Sequence, residues 1–535
     1  MISARRFFLV FVVLLLVYAG LRSHTLLSKI RHDEGLFLAA GQACAMGELP
    51  YRDFVDHKPP GIFWFHAFPL RFFPYSRLAV KIHEVLWIAL AGTLFWILCR
   101  HLFALAAAVA ALGLFVFCTS TPALIQSGGL TEEAGLPWYV LAFMWAFLGA
   151  SRGLLASFFA GLSLALAGQF RQTFVIAAPV FLWVLWREAA LHGLSTRERV
   201  NRLAVFGVGA LIPETLISLY FFYHGIWFDY IEANYLFNVL YVAVRGEQAT
   251  GRETWGELLR FIQSTGPYLV APLFAVGTLG RAQFAARRFL VPLLLIFACD
   301  MFAAEMSGED YEHYYVQAAG SSSLLIGLFI ESMFHRSGER KYPWLRFDRV
   351  LLFVVLLSLC GTALHQYVES FQNLARRYHR SSGGIAYQRS VAEAVRRITD
   401  SDERILLLGK SPNSVYFLAH RLPGARYYHN APLYKDKFKG NIPERYHQRF
   451  LADLKEHRPA VIILGSPEGE STSPGMDLVE EYTPSVVPFL QEEYVPLEEV
   501  IEDVPDDWHW HGRFCSFLIR RDRIEKVRET IHAGT

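Results

Sequence analysis

The sequence predicts a polytopic α-helical membrane protein of about eleven transmembrane helices carrying a C-terminal extracytoplasmic α/β domain. Three observations lead there. Of 535 residues, 53% are hydrophobic and only 19% charged, with a mean hydropathy of +0.27, whereas soluble chains usually carry about 25% charge. Apolar runs of membrane-crossing character recur as far as residue 365, against the ~20 residues that a bilayer demands, with shorter runs possible where neighbours cover the ends. Beyond that point short apolar runs ending in Gly alternate with stretches of helical spacing, the pattern of a small α/β fold. The net charge of +2 supplies no general basic field, so nucleic-acid binding is set aside.

The spans are expected near 7–22, 78–99, 102–119, 137–150, 154–168, 173–186, 203–223, 267–280, 289–306, 316–334 and 350–365. The fifth and sixth are separated only by the short turn Gln169-Phe170-Arg171-Gln172. Charge tests this series independently. With Arg5 and Arg6 cytoplasmic, alternate loops carry Arg100; Arg152; Arg187, Arg197, Arg199 and Arg202; Arg281, Arg287 and Arg288; and Arg336, Arg340, Lys341, Arg346 and Arg349. The intervening loops 120–136 and 307–315 contain no Lys or Arg. That asymmetry is the positive-inside pattern, and removing one span destroys it. Parity then puts the N-terminus in the cytoplasm and everything after about residue 366 outside. The first segment also fits a cleaved signal peptide; a retained helix is the preferred reading, and loop 23–77 lies outside either way.

In the C-terminal part, Ile405–Gly409, Ala460–Gly465 and Cys515–Ile519 read as strands, with helical spacing over 411–421 and 443–457. Ser411-Pro412-Asn413 after the first strand is not a phosphate-binding glycine fingerprint. Cys99, Cys118, Cys299 and Cys360 lie in or beside apolar runs, where a thiol behaves as a small hydrophobe. Cys44 and Cys515 face outward and a pairing between them stays open. No Cys/His spacing suggests structural zinc.

The residues best suited to chemistry lie on the first outer loop. Arg31-His32-Asp33-Glu34 opens an amphipathic helix expected to end near Gly47. Asp33 serves equally well as a helix N-cap or as a proton acceptor. Further along, Pro59-Pro60 stiffens the backbone after Asp56-His57-Lys58 and so aims the Lys58 ammonium. The aromatic stretch Phe63-Trp64-Phe65 then returns the chain to the interface. A carboxylate pair and a positioned ammonium suit acid–base work beside an anionic group; the plainer reading of Lys58 is snorkelling. Other outward candidates are Glu132 in Thr131-Glu132-Glu133, Arg171, Arg245, and His313-Tyr314-Tyr315. Lys81, His83, Glu84, Glu214, Asp300 and Glu305 fall within spans, where a charge needs a partner or water. Those groups keep a transporter or flippase of a lipid-linked or polar substrate as the alternative.

These motifs resemble the GT-C superfamily of membrane glycosyltransferases, and within it the branch of protein O-mannosyltransferases and lipid A aminoarabinose transferases. The resemblance rests on Asp33-Glu34 after the first span, Asp56-His57-Lys58-Pro59-Pro60-Gly61, Thr131-Glu132, Gly168-Gln169-Phe170-Arg171-Gln172 and His313-Tyr314-Tyr315, covering residues 1–335. It implies an inverting glycosyltransferase that moves a sugar from a polyprenyl phosphate to an extracytoplasmic lipid, glycan or protein, in the inner or plasma membrane. By that analogy Asp33 is the general base and Glu34 orients it or the acceptor. Lys58, then Arg171, bind the donor phosphate, and His57, Glu132, Arg245, His313 and Tyr314 are substrate-binding candidates. His57 stands where the lipid A branch has an acidic residue. The domains expected are 1–365, a transmembrane glycosyltransferase domain with catalytic loop 23–77, and 366–535, the soluble α/β domain. No cofactor is indicated, and no ligand cluster decides for or against a divalent metal.

Overall fold

The computed structural model describes residues 4–149, 153–240, 288–306, 311–334, 361, 364, 366–368, 371–372, 384–409, 412–429, 433, 444–465, 479–480, 483–501, 504–505, 508, 511 and 515–534. Spans expected near 267–280 and 350–365 fall almost wholly outside these residues. The other expected spans are all helical: Ala4–Leu21, Arg77–Leu102, Leu105–Cys118, Thr131–Leu148, Leu154–Gly168, Ala178–Leu191, Thr196–Tyr223, Leu290–Glu305 and Ala319–Phe334. Among the described residues, Ala4–Leu21, Arg77–Leu102, Gln172–Leu191 and Thr196–Tyr223 are long and apolar enough to cross a bilayer. The protein is a multi-pass membrane protein. At the short turn, Leu154–Gly168 ends and a 3-10 turn, Gln172–Ala177, starts the next helix.

By compactness the chain forms two units. The first comprises residues 1–27, 81–220 and 249–375, the second 28–80, 221–248 and 376–535.

Within the first unit, helices of small and aromatic residues share one core that includes Phe95, Phe115, Phe143, Phe181 and Leu325. Lipid supplies no hydrophobic drive between helices, so close backbone approach has to hold them. Leu154–Gly168 and Thr196–Tyr223 show this: a Cβ on Gly161 would lie 2.0 Å from the Phe206 carbonyl oxygen, and one on Gly209 would lie 2.2 Å from that of Phe158. Ionisable groups here have partners. The Lys81 ammonium bonds both Glu84 oxygens at 3.0 and 2.9 Å, and Arg22 pairs with Glu133. Asp300 accepts from Tyr139 at 2.8 Å, Gln317 at 3.0 Å and Ser321 at 2.6 Å, while Glu214 accepts from Gln169 and Ser218.

The second unit is built around the helix His32–Ala45. Residues Glu34–Ala43 of that helix are all buried, which corrects the amphipathic expectation. Helices Gly61–Phe72 and Ser414–Ala419 pack on it, so it is covered on more than one side. Its small residues permit this: a Cβ on Gly35 would meet the Ser414 backbone nitrogen at 2.7 Å.

The three expected strands join a fourth in one sheet, ordered across it as Ile405–Gly409, Val461–Gly465, Cys515–Arg520 and Tyr494–Pro496. β1 (Ile405–Gly409) and β2 (Val461–Gly465) are parallel, with Ile405 opposite Val461. β4 (Cys515–Arg520) runs antiparallel to β2, Val461 facing Ile519. β3 (Tyr494–Pro496), absent from the sequence reading, pairs only with β4; as an edge strand it tolerates its proline. Leu406, Leu408, Ile462 and Leu464 point to one face and pack with Phe450 and Leu454 of the helix Glu444–His457. Cys44 and Cys515 are free thiols.

Candidate active site

Arg31 takes the extended N-cap conformation, φ −78° and ψ 171°, without a side-chain cap. Asp33 is therefore the second residue of the helix and not its N-cap, which corrects the capping alternative. It lies half-buried in the first turn, where the helix dipole favours a carboxylate. Glu34, the next residue, is 0% exposed. Its oxygens accept from Arg77 Nε at 2.8 Å and Nη2 at 3.0 Å, and Arg77 Nη1 also donates to the Ser28 carbonyl at 2.8 Å. Such a bidentate fork fixes the carboxylate in both distance and plane. Adjacent carboxylates thus occupy different environments, Glu34 locked on an arginine and Asp33 on the helix's opening turn. His32 Nδ1 lies 3.1 Å from Asn413 Nδ2.

The Lys58 loop is clamped through its backbone. Lys58 N–H donates to Asp56 Oδ1 at 3.1 Å, and the Lys58 carbonyl accepts from the Tyr51 hydroxyl at 2.8 Å. Asn238 Nδ2 donates to the His57 carbonyl at 2.8 Å, and the His57 ring lies 5.6 Å from Phe237. Asp56 is 2% exposed. Its Oδ1 is 3.3 Å from His57 Nδ1, and its Oδ2 is 3.7 Å from His429 Nε2 and 3.5 Å from the Tyr428 hydroxyl. Burial pushes the Asp56 carboxyl up, but His429, His57 and Lys58, with the Lys58 N–H, together hold it below the usual carboxylate range. Burial, reinforced by the Lys58 ammonium, pushes His57 down to about 3 against the pull of Asp56. Asp33 adds a small upward pull on both His57 and His429, while Asp56 has His57, the Lys58 N–H and His429 directly around it.

The sign of the pH effect follows. Above the ordinary imidazole value of 6.5 both folded and unfolded His57 are neutral; between 6.5 and about 3 only the unfolded chain takes the proton. Asp56 acts in the same direction lower down, its stabilisation being lost as pH falls below 3.8 through its lowered folded value. Acidification from about neutral to about pH 4 should lower the unfolding temperature, and His57→Gln should flatten that slope. Parallel pH profiles for both proteins would refute the assignment.

The remaining motifs gather within the first unit. Glu132, on the opening turn of Thr131–Leu148, is buried in an ion pair with Arg171. Arg171 is extended, φ −152° and ψ 121°, and its guanidinium lies 3.8 Å above the Tyr314 ring. His313 packs edge-on to Tyr314 at 4.7 Å and its Nδ1 lies 3.2 Å from Gln126 Nε2. Gln317 links this turn to Thr173, whose hydroxyl donates to Gln317 Oε1 at 2.8 Å. Arg245 lies outside the described residues. Sequence reasoning assigned no role to Asp56, Arg77, Tyr428 or His429. Asp56 at least had a local signal, since it stands beside His57-Lys58-Pro59-Pro60. Among the described residues no three of His, Cys, Asp and Glu are arranged to hold a metal ion.

No family model matches the chain, and no curated protein sequence matches it. Solved structures do. ArnT from Cupriavidus metallidurans bound to undecaprenyl phosphate is similar with a TM-score of 0.54 and 12% identity, over 96% of this chain and 98% of that one. The apo state of the same protein gives 0.49 and 13% over the same shares. The Archaeoglobus fulgidus oligosaccharyltransferase, tethered to an acceptor peptide with an NVT sequon, gives 0.49 and 13% over 92% of this chain and 72% of that one. At such identity the likeness to the undecaprenyl-phosphate-bound structure is one of fold. The chain has a GT-C-like fold.

Proposed function

We propose that this protein is an inverting glycosyltransferase that moves a sugar from a polyprenyl-phosphate donor to an extracytoplasmic lipid, glycan or protein. The observation that carries the reading is the buried Asp56 with His57, the Lys58 N–H and His429 around it, which clamps the Lys58 backbone in the same unit as the first-turn carboxylate Asp33. The acceptor hydroxyl oxygen attacks the anomeric carbon while Asp33 takes its proton. The bond between that carbon and the phosphate oxygen breaks, and its electron pair leaves with the phosphate. A single displacement of this kind inverts the anomeric centre. Lys58 stabilises the charge gathering on the leaving phosphate, where a fixed cation lowers the barrier most. Arg171, held by Glu132 and Tyr314 in the first unit, is the second candidate cation. Glu34, given its bond to Arg77, supports the helix that carries Asp33 rather than touching substrate. The acceptor and donor meet outside the inner or plasma membrane, with the N-terminus cytoplasmic and residues 366–535 extracytoplasmic; loop 23–77 of domain 1–365 is the catalytic loop. The undecaprenyl phosphate in the structurally similar ArnT supports the choice of donor class.

Lys58→Ala should weaken binding of undecaprenyl phosphate to the detergent-purified protein by about tenfold or more, the worth of one charge-assisted phosphate contact. Unchanged affinity would remove Lys58 from the phosphate site. Mass spectrometry of envelope lipids, glycans and proteins, with and without this protein, then identifies sugar and acceptor together.

A further inference from the structure

We infer that Asp56 is the positioning residue for Lys58, set in place by the chain segment 426–429 far downstream; the inference rests on the phosphate role just proposed for Lys58. Asp56 stands 2% exposed at the centre of the arrangement. Through Oδ1 it accepts the Lys58 N–H at 3.1 Å, and through Oδ2 it faces His429 Nε2 at 3.7 Å and Tyr428 Oη at 3.5 Å. The same segment also holds the backbone next door, because Val55 N–H donates to the Arg426 carbonyl at 2.7 Å. Arg426 is itself anchored by Asp453, which accepts its Nε at 2.8 Å and Nη2 at 2.9 Å. A continuous set of contacts therefore runs from the helix Glu444–His457 through Arg426 to Val55 and Asp56, and from Asp56 to Lys58. The other end of Lys58 is fixed by Tyr51 and by Pro59-Pro60. A lysine side chain carries large rotamer freedom; a backbone pinned on both sides fixes the point from which its ammonium reaches.

A buried carboxylate beside a phosphate site has two opposite effects, and the sign of its removal tells them apart. If Asp56 merely adds negative charge, Asp56→Asn relieves repulsion and undecaprenyl phosphate binds more tightly. If Asp56 positions Lys58, the same change weakens binding. The test measures undecaprenyl phosphate affinity of the full-length protein in detergent for wild type, Asp56→Asn, Lys58→Ala and the double variant. Positioning predicts that Asp56→Asn weakens binding about tenfold alone and adds nothing once Lys58 is alanine, the signature of residues acting as one unit. Equal or tighter binding by Asp56→Asn overturns the inference, as does a loss that multiplies with that of Lys58→Ala. If Lys58→Ala binds like wild type, the phosphate reading itself falls and takes the positioning role with it. Should Asp56→Asn not fold, His429→Gln serves in its place: it should weaken binding in the same direction, and unchanged affinity overturns the inference.

Discussion

Replacing Asp33 with asparagine should leave a protein that inserts and folds normally yet transfers sugar at least about a hundredfold more slowly, the lower end of what general-base catalysis contributes. The two outcomes separate because Asp33 is not the helix N-cap: Arg31 holds that place, without a side-chain capping bond. Asparagine keeps the size and the hydrogen-bonding oxygen and loses only the basic lone pair and the charge. The structural cost includes loss of the helix-dipole term, about 0.3–1 kcal/mol for a first-turn carboxylate. The measurement is recovery of the missing envelope sugar when the variant is expressed in cells lacking the protein, with the unfolding temperature of the purified variant as control. Full recovery of the sugar would remove Asp33 as the base. A variant that loses activity and unfolds early would assign Asp33 a structural role instead.

The neighbouring carboxylate should behave in the opposite way. Arg77→Ala leaves Glu34, 0% exposed, without the guanidinium that now meets both its oxygens at 2.8 and 3.0 Å. Removing one partner of a buried ion pair costs about 3–5 kcal/mol, because the survivor's charge is stranded away from water. Arg77→Ala is therefore expected to be the most destabilising single substitution near the site, seen as a large fall in unfolding temperature. Glu34→Ala should cost less, since Arg77 is partly exposed and keeps the Ser28 carbonyl. Joint replacement of both by apolar residues of similar volume should regain much of the loss, as buried pairs often exchange with hydrophobic ones at little net cost. An Arg77→Ala protein as stable as wild type would refute the structural assignment of Glu34. Together the substitutions at 33, 34 and 77 would divide two adjacent acids into one proposed to act on substrate and one that holds the helix.

Much of the helical architecture was legible because lipid imposes a length and a composition on every span. That rule located Ala4–Leu21, Arg77–Leu102 and Thr196–Tyr223 directly, and even the fifteen-residue helix Leu154–Gly168. β1, β2 and β4 were legible for a related reason: strands covered on both faces read as unbroken apolar runs. β3 was not, since three residues ending in proline carry no periodic signal. The helix His32–Ala45 was placed correctly but its environment was not. Its polar and small residues look like a solvent face until Ser414, far along the chain, is seen packed on Gly35. The same limit applies to the site. Glu132, Arg171, His313 and Tyr314 could each be singled out by residue type, but their assembly around one guanidinium depends on contacts between turns far apart in sequence. Composition changes near residue 365, yet compactness gathers 28–80, 221–248 and 376–535, because packing joins segments wherever they lie in the chain.

That discontinuity has a consequence for how the protein is made. Tyr428 and Asp56, which meet at 3.5 Å, are separated by 372 positions. During synthesis the Lys58 loop emerges early and waits while the rest of the chain is built before the segment that grips Asp56 exists. Contacts of such long sequence separation form late and slowly. A chain cut short before residue 426 therefore carries Asp33 and Lys58 but lacks the Arg426, Tyr428 and His429 neighbours of Val55 and Asp56.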